Sequence, residues 1–200
     1  MTTQKSQKVF YWNCADDRNH SHKRIEWAIE NGMLVCINIK ISKKLISQVE
    51  IGDIILAYEP KEHKVSKMAN GQDGKCMSCS YSKKDGRQSF THAFNLIDNV
   101  IVIKNFETFQ KYELFRNWHS QDKHNSTIER NNEYFSKYFD NNGIIYIYPI
   151  KYLGKLENEI TTSKESTSHI YKYYGNIRKG FDIFEDIYLI RQIIKQFSST

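Results

Sequence analysis

The apolar residues of this chain fall in short runs, and the order of those runs constrains the fold more than any other feature. Ile54-Ile55-Leu56-Ala57-Tyr58 is a continuous apolar run that follows the turn pair Gly52-Asp53 and is closed by Pro60. That pattern suits a buried strand. Ile144 to Leu153, entered through Asn141-Asn142-Gly143, is the strongest strand signal in the chain. Val9 to Asn13, Met33 to Ile41 and Phe90 to Ile103 also read as strands. Three-to-four spacing predicts helices over Lys23 to Asn31, Glu107 to Trp118 and Thr127 to Phe139, with a shorter one over Lys43 to Val49. Ser21 is a candidate cap for the first helix and Asn31-Gly32 its end; Ile25, Ala28 and Ile29 share one face. In Phe181 to Phe197, the residues Ile183, Ile187, Ile190, Ile194 and Phe197 recur at helical spacing. Asp182, Glu185 and Asp186 suit the positive end of that helix dipole. The order β-α-β-α-β, long loop, β-α-α-β-α lacks the alternation of a doubly wound parallel fold. It predicts an α+β domain built on a small mixed β-barrel or curved sheet flanked by helices, with a C-terminal helix.

With 200 residues, no internal repeat and no evident linker, the chain is expected to form a single domain over 1–200. The Lys-, Ser- and Gly-rich stretch at about 61–88 reads as a long basic insertion, and Glu157 to Ser168 as a second polar loop. No apolar run approaches the ~20 residues that span a bilayer. Met1 to Lys8 is polar and lacks a secretory pattern. The four cysteines are too few for a disulfide scaffold. An intracellular protein, cytoplasmic or nuclear and away from membranes, is the expectation.

The formal net charge of +6 favours a polyanionic partner, and 13 Tyr, 11 Phe and 3 Trp supply surfaces on which bases stack. Lys83, Lys84 and Arg87 in the basic insertion are candidates for phosphate contacts, as are Lys172, Arg178 and Lys179, interleaved with aromatics in Tyr171 to Lys179. Phosphate-loop (GxxxxGK(S/T)), dinucleotide (GxGxxG) and hydrolase-elbow (GxSxG) patterns are absent. The expectation is therefore a DNA- or RNA-binding protein with no catalytic residue and no cofactor.

Two segments support rival readings. Asp16, Asp17, His20 and His22 have metal-ligating chemistry, which would make the chain a metal-dependent nuclease; the plain reading is a solvated loop leading into a helix cap. Cys76 and Cys79 stand at zinc-knuckle spacing, with His63 upstream and His92 downstream, but the second half lacks paired histidines, so no metal is expected. A protein-interaction module using the long loop and terminal helix is the other alternative. Oligomeric state, the choice of DNA or RNA, and the identity of the base stay open at this level.

The first sixty residues carry a family resemblance. A strand ends in Trp12-Asn13-Cys14, and a helix follows through Arg24-Ile25-Glu26-Trp27-Ala28-Ile29-Glu30-Asn31-Gly32. A short strand comes next, and then Gly52-Asp53 leads into an apolar strand ending in Tyr58. This layout resembles the opening of the PUA-like superfamily, and within it the EVE and YTH domains. Tyr148 to Leu153 is similar to the strand those domains place late in the barrel. The resemblance implies a β-barrel whose mouth holds one extruded base, plain or modified, between aromatic walls. Carried over by position, Trp12, Asn13 and Cys14 would touch the base edge and Tyr58 would form a wall. The chain departs from the YTH pattern at Met33-Leu34-Val35, where those domains carry a Trp, and its insertion between Tyr58 and Phe90 is longer than in minimal members.

Overall fold

A computed structural model describes residues 7–13, 21–37, 43–59, 89–112, 128–161 and 181–197. Along the chain these form β1 (Val9–Asn13), α1 (Ser21–Asn31), β2 (Met33–Ile37), α2 (Lys43–Ile46), β3 (Ile54–Glu59), β4 (Ser89–Leu96) and β5 (Ile101–Ile103). There follow α3 (Phe106–Lys111), α4 (Ile128–Asp140), β6 (Ile145–Thr161), β7 (Phe181–Ile183) and α5 (Ile187–Phe197). The strands join in the order β2-β6-β4-β3-β1-β7, with β5 also paired to β6. Only β1 and β3 run parallel; the other described pairs are antiparallel. The result is a curled, half-barrel mixed sheet with a few helices, one of them C-terminal, in line with the expected α+β curved sheet. No helix among the described residues is long and apolar enough to cross a membrane.

The curl depends on β6. Its first residues pair with β2 on one side and β5 on the other, whereas from Ile150 onward it pairs with β4. One strand thus belongs to two sheet segments, and the bend between them wraps the sheet around its concave face.

Period-two alternation sorts the apolar residues into packed layers. From β1, Phe10 and Trp12 join Ile55 and Ala57 of β3, Phe94 and Leu96 of β4, and Tyr146, Tyr148 and Ile150 of β6 beneath Ile25 and Ala28 of α1. The opposite side chains Val9, Tyr11, Ile54, Leu56 and Tyr58 pack with Phe90, Phe184 and Ile193, beside α5. A third layer sets Trp27, Val35, Ile145 and Ile147 against Phe109, Phe135 and Phe139 of α3 and α4. Both faces of β3 are covered, which is why its sequence is apolar throughout. Each fully buried ring or branched side chain contributes about 1.5–3 kcal/mol.

Local signals explain the element ends. Gly32 adopts φ +64° after α1, its N–H donates to Ala28 O at 2.9 Å, and Asn31 Nδ2 donates to Trp27 O at 2.8 Å. A left-handed residue there costs glycine little. The turn before β6 has Asn142 at φ 58°, and a Cβ at Gly143 would collide with Tyr138. The Tyr138 hydroxyl donates to Ile144 O at 2.8 Å and accepts from Ile144 N–H at 3.2 Å, tying α4 to the strand start.

Several sequence expectations need correction. The span expected as one strand from Phe90 to Ile103 divides into β4 and β5 around residues 97–100. α3 begins one residue early, capped by Asn105 Oδ1 at 2.7 Å from Thr108 N, and the backbone leaves helical geometry at Tyr112. Ile29 is not on the buried face of α1 but lies exposed. β6 continues to Thr161 through what reads as polar loop from Glu157, because Leu156 and Ile160 still insert into the layer under α5. The terminal helix starts at Ile187, not Phe181. Phe181 pairs with Trp12 as part of β7 and stacks on Phe10 and Tyr148, while Asp186 Oδ1 accepts from Leu189 N–H at 3.0 Å and starts the helix. Ile187 is consequently exposed, and Leu189, Ile190, Ile193, Ile194 and Phe197 form the packed side.

Candidate functional site

Of the residues proposed from sequence to bind a base, Trp12 and Tyr58 do not share a face. β1 and β3 pair with Trp12 opposite Ala57 and Asn13 opposite Tyr58. Trp12 lies in the layer with Phe10 and Ala57, and Tyr58 in the opposite layer, 5.2 Å from the Phe90 ring. Alternation separates Trp12 from its neighbour Asn13, so Trp12 and Tyr58 cannot wall one pocket. Asn13 and Tyr58 are brought together; both rings, Trp12 and Tyr58, are buried. Cys14, Lys83, Lys84, Arg87, Lys172, Arg178 and Lys179 lie outside the described residues, as do Asp16, Asp17, His20, His63, Cys76 and Cys79. His22 falls in α1. Among the described residues, no group of three or more His, Cys, Asp or Glu could hold a metal ion.

The structure instead gathers buried polar side chains at the Glu59 end of β3. Ala57 pairs with His92 and Tyr58 with Phe90, so Thr91 is an extra residue in β4. Opposite it on the other side, Phe90 pairs with Ile160 and His92 with Lys155, so β6 bulges over residues 156–159 at the same level. Bulges re-aim side chains, and they concentrate at strand ends and beside functional sites. Here the bulge brings Thr91 into contact with its neighbour His92, a contact that regular alternation would forbid. Thr91 Oγ1 is 2.8 Å from His92 Nδ1 and donates to Glu59 Oε1 at 2.8 Å. Glu59, Thr91 and His92 are all buried. Beside them Ser89, also buried, donates from Oγ to Glu159 Oε2 at 3.0 Å.

The hydrogen count fixes the direction of this chain. A hydroxyl has one hydrogen, and an ionised carboxylate only accepts. With the Thr91 hydrogen given to Glu59, His92 Nδ1 must carry the proton that Thr91 Oγ1 accepts. The order is His92 Nδ1–H to Thr91 Oγ1–H to Glu59 Oε1. An imidazole held in this way keeps one tautomer and one ring orientation, and the buried carboxylate is compensated.

Aromatic rings frame the chain. His92 lies 6.0 Å from the Tyr152 ring, which in turn is 5.5 Å from Phe94. Burial raises the pKa of the Tyr152 hydroxyl, so it stays neutral and able to donate. Trp12, Ala57 and His92 form a row across β1, β3 and β4, about 10 Å from end to end at ordinary strand spacing. Farther along the same layer, Tyr148 stacks on Phe181 at 4.4 Å. Its hydroxyl is the one buried side-chain polar atom among the described residues without a hydrogen-bond partner, and burial pushes its pKa well up. The buried thiol of Cys36 is raised by the same cause, which keeps it protonated.

The cluster thus sets an oriented imidazole and a buried carboxylate beside aromatic rings at one end of the sheet. In the sequence His92 stands out only as a distant zinc ligand, and Glu59 and Thr91 belong to no motif. The available signal was polar Thr-His inside the apolar strand Ser89 to Leu96, directly adjacent where alternation calls for one residue on each face. No protein-family model, curated protein or solved structure matches the chain.

Proposed function

We propose that this chain is a nucleic-acid-binding domain of PUA-like, EVE/YTH-like character. It takes one unstacked base, plain or modified, at the concave end of its sheet and does no chemistry of its own. The observation that carries the reading is the Glu59–Thr91–His92 chain set beside the Tyr152 ring at one end of the curled sheet. Extruding a base costs a few kcal/mol, and a ring to stack on returns about 1–3 kcal/mol. Fixed polar groups at the base edge add the discrimination. The net charge of +6 supports a polyanionic partner. Lys83, Lys84, Arg87, Lys172, Arg178 and Lys179 are the proposed phosphate contacts. Of the residues first assigned to the pocket, Trp12 keeps a place on this face as part of its floor.

The test is fluorescence anisotropy with short single-stranded DNA and RNA, with and without methylated or hydroxymethylated bases, at moderate salt. His92→Ala is expected to weaken binding in a base-dependent way. Alanine at Lys83, Lys84 and Arg87 together is expected to weaken all sequences alike and to flatten the salt dependence. Absence of binding, or cleavage of the strands with Mg²⁺ or Mn²⁺, would overturn the reading.

A further inference from the structure

The Glu59 carboxylate narrows the class of base, on the assumption that the nucleic-acid reading holds. Glu59 is buried at the end of β3, and its hydrogen bond comes from Thr91 to Oε1, which leaves Oε2 to accept from a ligand. Thr91 has no second hydrogen to offer. Near a phosphate such a carboxylate is repulsive, so it suits a polyanionic ligand only where it meets a donor on a base edge. Cytosine, adenine and guanine each present an exocyclic amino group, and carboxylates accept from such groups. Thymine and uracil have carbonyl oxygens instead. Their single N3–H lies between two of them, so an approaching carboxylate meets a repelling oxygen on either side.

We infer that the base held at the Glu59 end is one bearing an exocyclic amino group, and that thymine and uracil are rejected there. The experiment compares single-stranded oligo(dC), oligo(dA) and oligo(dT) of equal length by anisotropy, with wild-type protein and Glu59→Gln. Wild type should bind oligo(dT) about tenfold more weakly than the other two, the size of one good edge contact. Glutamine donates as well as accepts, so Glu59→Gln should close that gap to about threefold or less. Thermal unfolding of the variant confirms that it is folded. Equal binding of all three strands by wild type overturns this inference and leaves the nucleic-acid reading in place. A gap that persists in folded Glu59→Gln does the same. Binding to none of the strands overturns the nucleic-acid reading itself and this inference with it.

Discussion

Strand β3 is bracketed by two buried carboxylates, Asp53 before its first residue and Glu59 at its last, and they are satisfied by different kinds of donor. Asp53 Oδ1 accepts from Lys8 N–H at 3.0 Å and Oδ2 from Glu50 N–H at 2.8 Å. Both oxygens are taken by backbone, one just before β1 and one in the turn before β3. Its neighbour Gly52, at φ +94°, and Asn95, whose Nδ2 donates to Gly52 O at 2.8 Å, complete a closed knot. Glu59 accepts from a side chain, Thr91, which is itself linked to an imidazole. Backbone donors cannot be redirected without unfolding the turn, so Asp53 reads as architecture. Side-chain donors can be redirected by a rotamer change, and one oxygen of Glu59 stays in hand, as a ligand site requires.

The two ends of β3 differ most at Asp53. Asp53→Ala strips the acceptors from two backbone N–H groups and should cost about 3 kcal/mol, read as a lower urea midpoint with an unchanged slope. Loss of under about 1 kcal/mol would make Asp53 dispensable and end the architectural assignment. Next in size, Thr91→Val cuts the chain between His92 and Glu59 and should cost about 2 kcal/mol by the same measurement, because the buried Glu59 carboxylate loses its hydroxyl donor and His92 its contact with that hydroxyl. Tyr148→Phe supplies a scale of opposite sign. Its hydroxyl is buried without a partner, so removing it should raise stability by about 1 kcal/mol. Glu59→Gln should shift stability by less than about 1 kcal/mol, since the amide oxygen can still accept from Thr91, while base preference changes. A large stability loss in Glu59→Gln would make the two ends alike.

The smallest expected effect is a pH dependence at Asp53. Burial raises its pKa from the ordinary 3.8 and outweighs the two backbone hydrogen bonds and the nearby Lys8, which act to lower it. A raised carboxyl pKa means the native state holds its proton more tightly than the unfolded chain. The Asp53 contribution is therefore most favourable below the unfolded value and declines as pH rises from there through the folded value. Urea midpoints measured across mildly acidic pH should show this shallow decline in wild type, and the component should vanish in Asp53→Asn.

Features set by neighbouring residues were legible in the sequence. β1, α1 with its glycine stop at Gly32, the Gly52-Asp53 turn into β3, and the Asn142-Gly143 turn into β6 each follow from side-chain pattern or backbone preference within a few positions. Pairing was not legible. Nothing near Trp12 indicates that it faces away from Tyr58, since that follows from the Trp12–Ala57 register between strands far apart in the chain. Residues 181–183 fit helical spacing as well as strand alternation. Phe181 joins the sheet because the Phe10 and Tyr148 rings offer it a stack, at 5.5 Å and 4.4 Å.

By itself, the sequence determined the class of architecture: short strands interrupted by helices, buried on a curved mixed sheet, in a basic chain rich in rings. Only the tertiary structure decided which polar residues meet. Glu59 and Thr91 are 32 positions apart. They touch because β4 pairs with β3 and carries one extra residue at Thr91. A bulge reverses the phase of side chains downstream of it, and its position depends on both neighbouring strands at once.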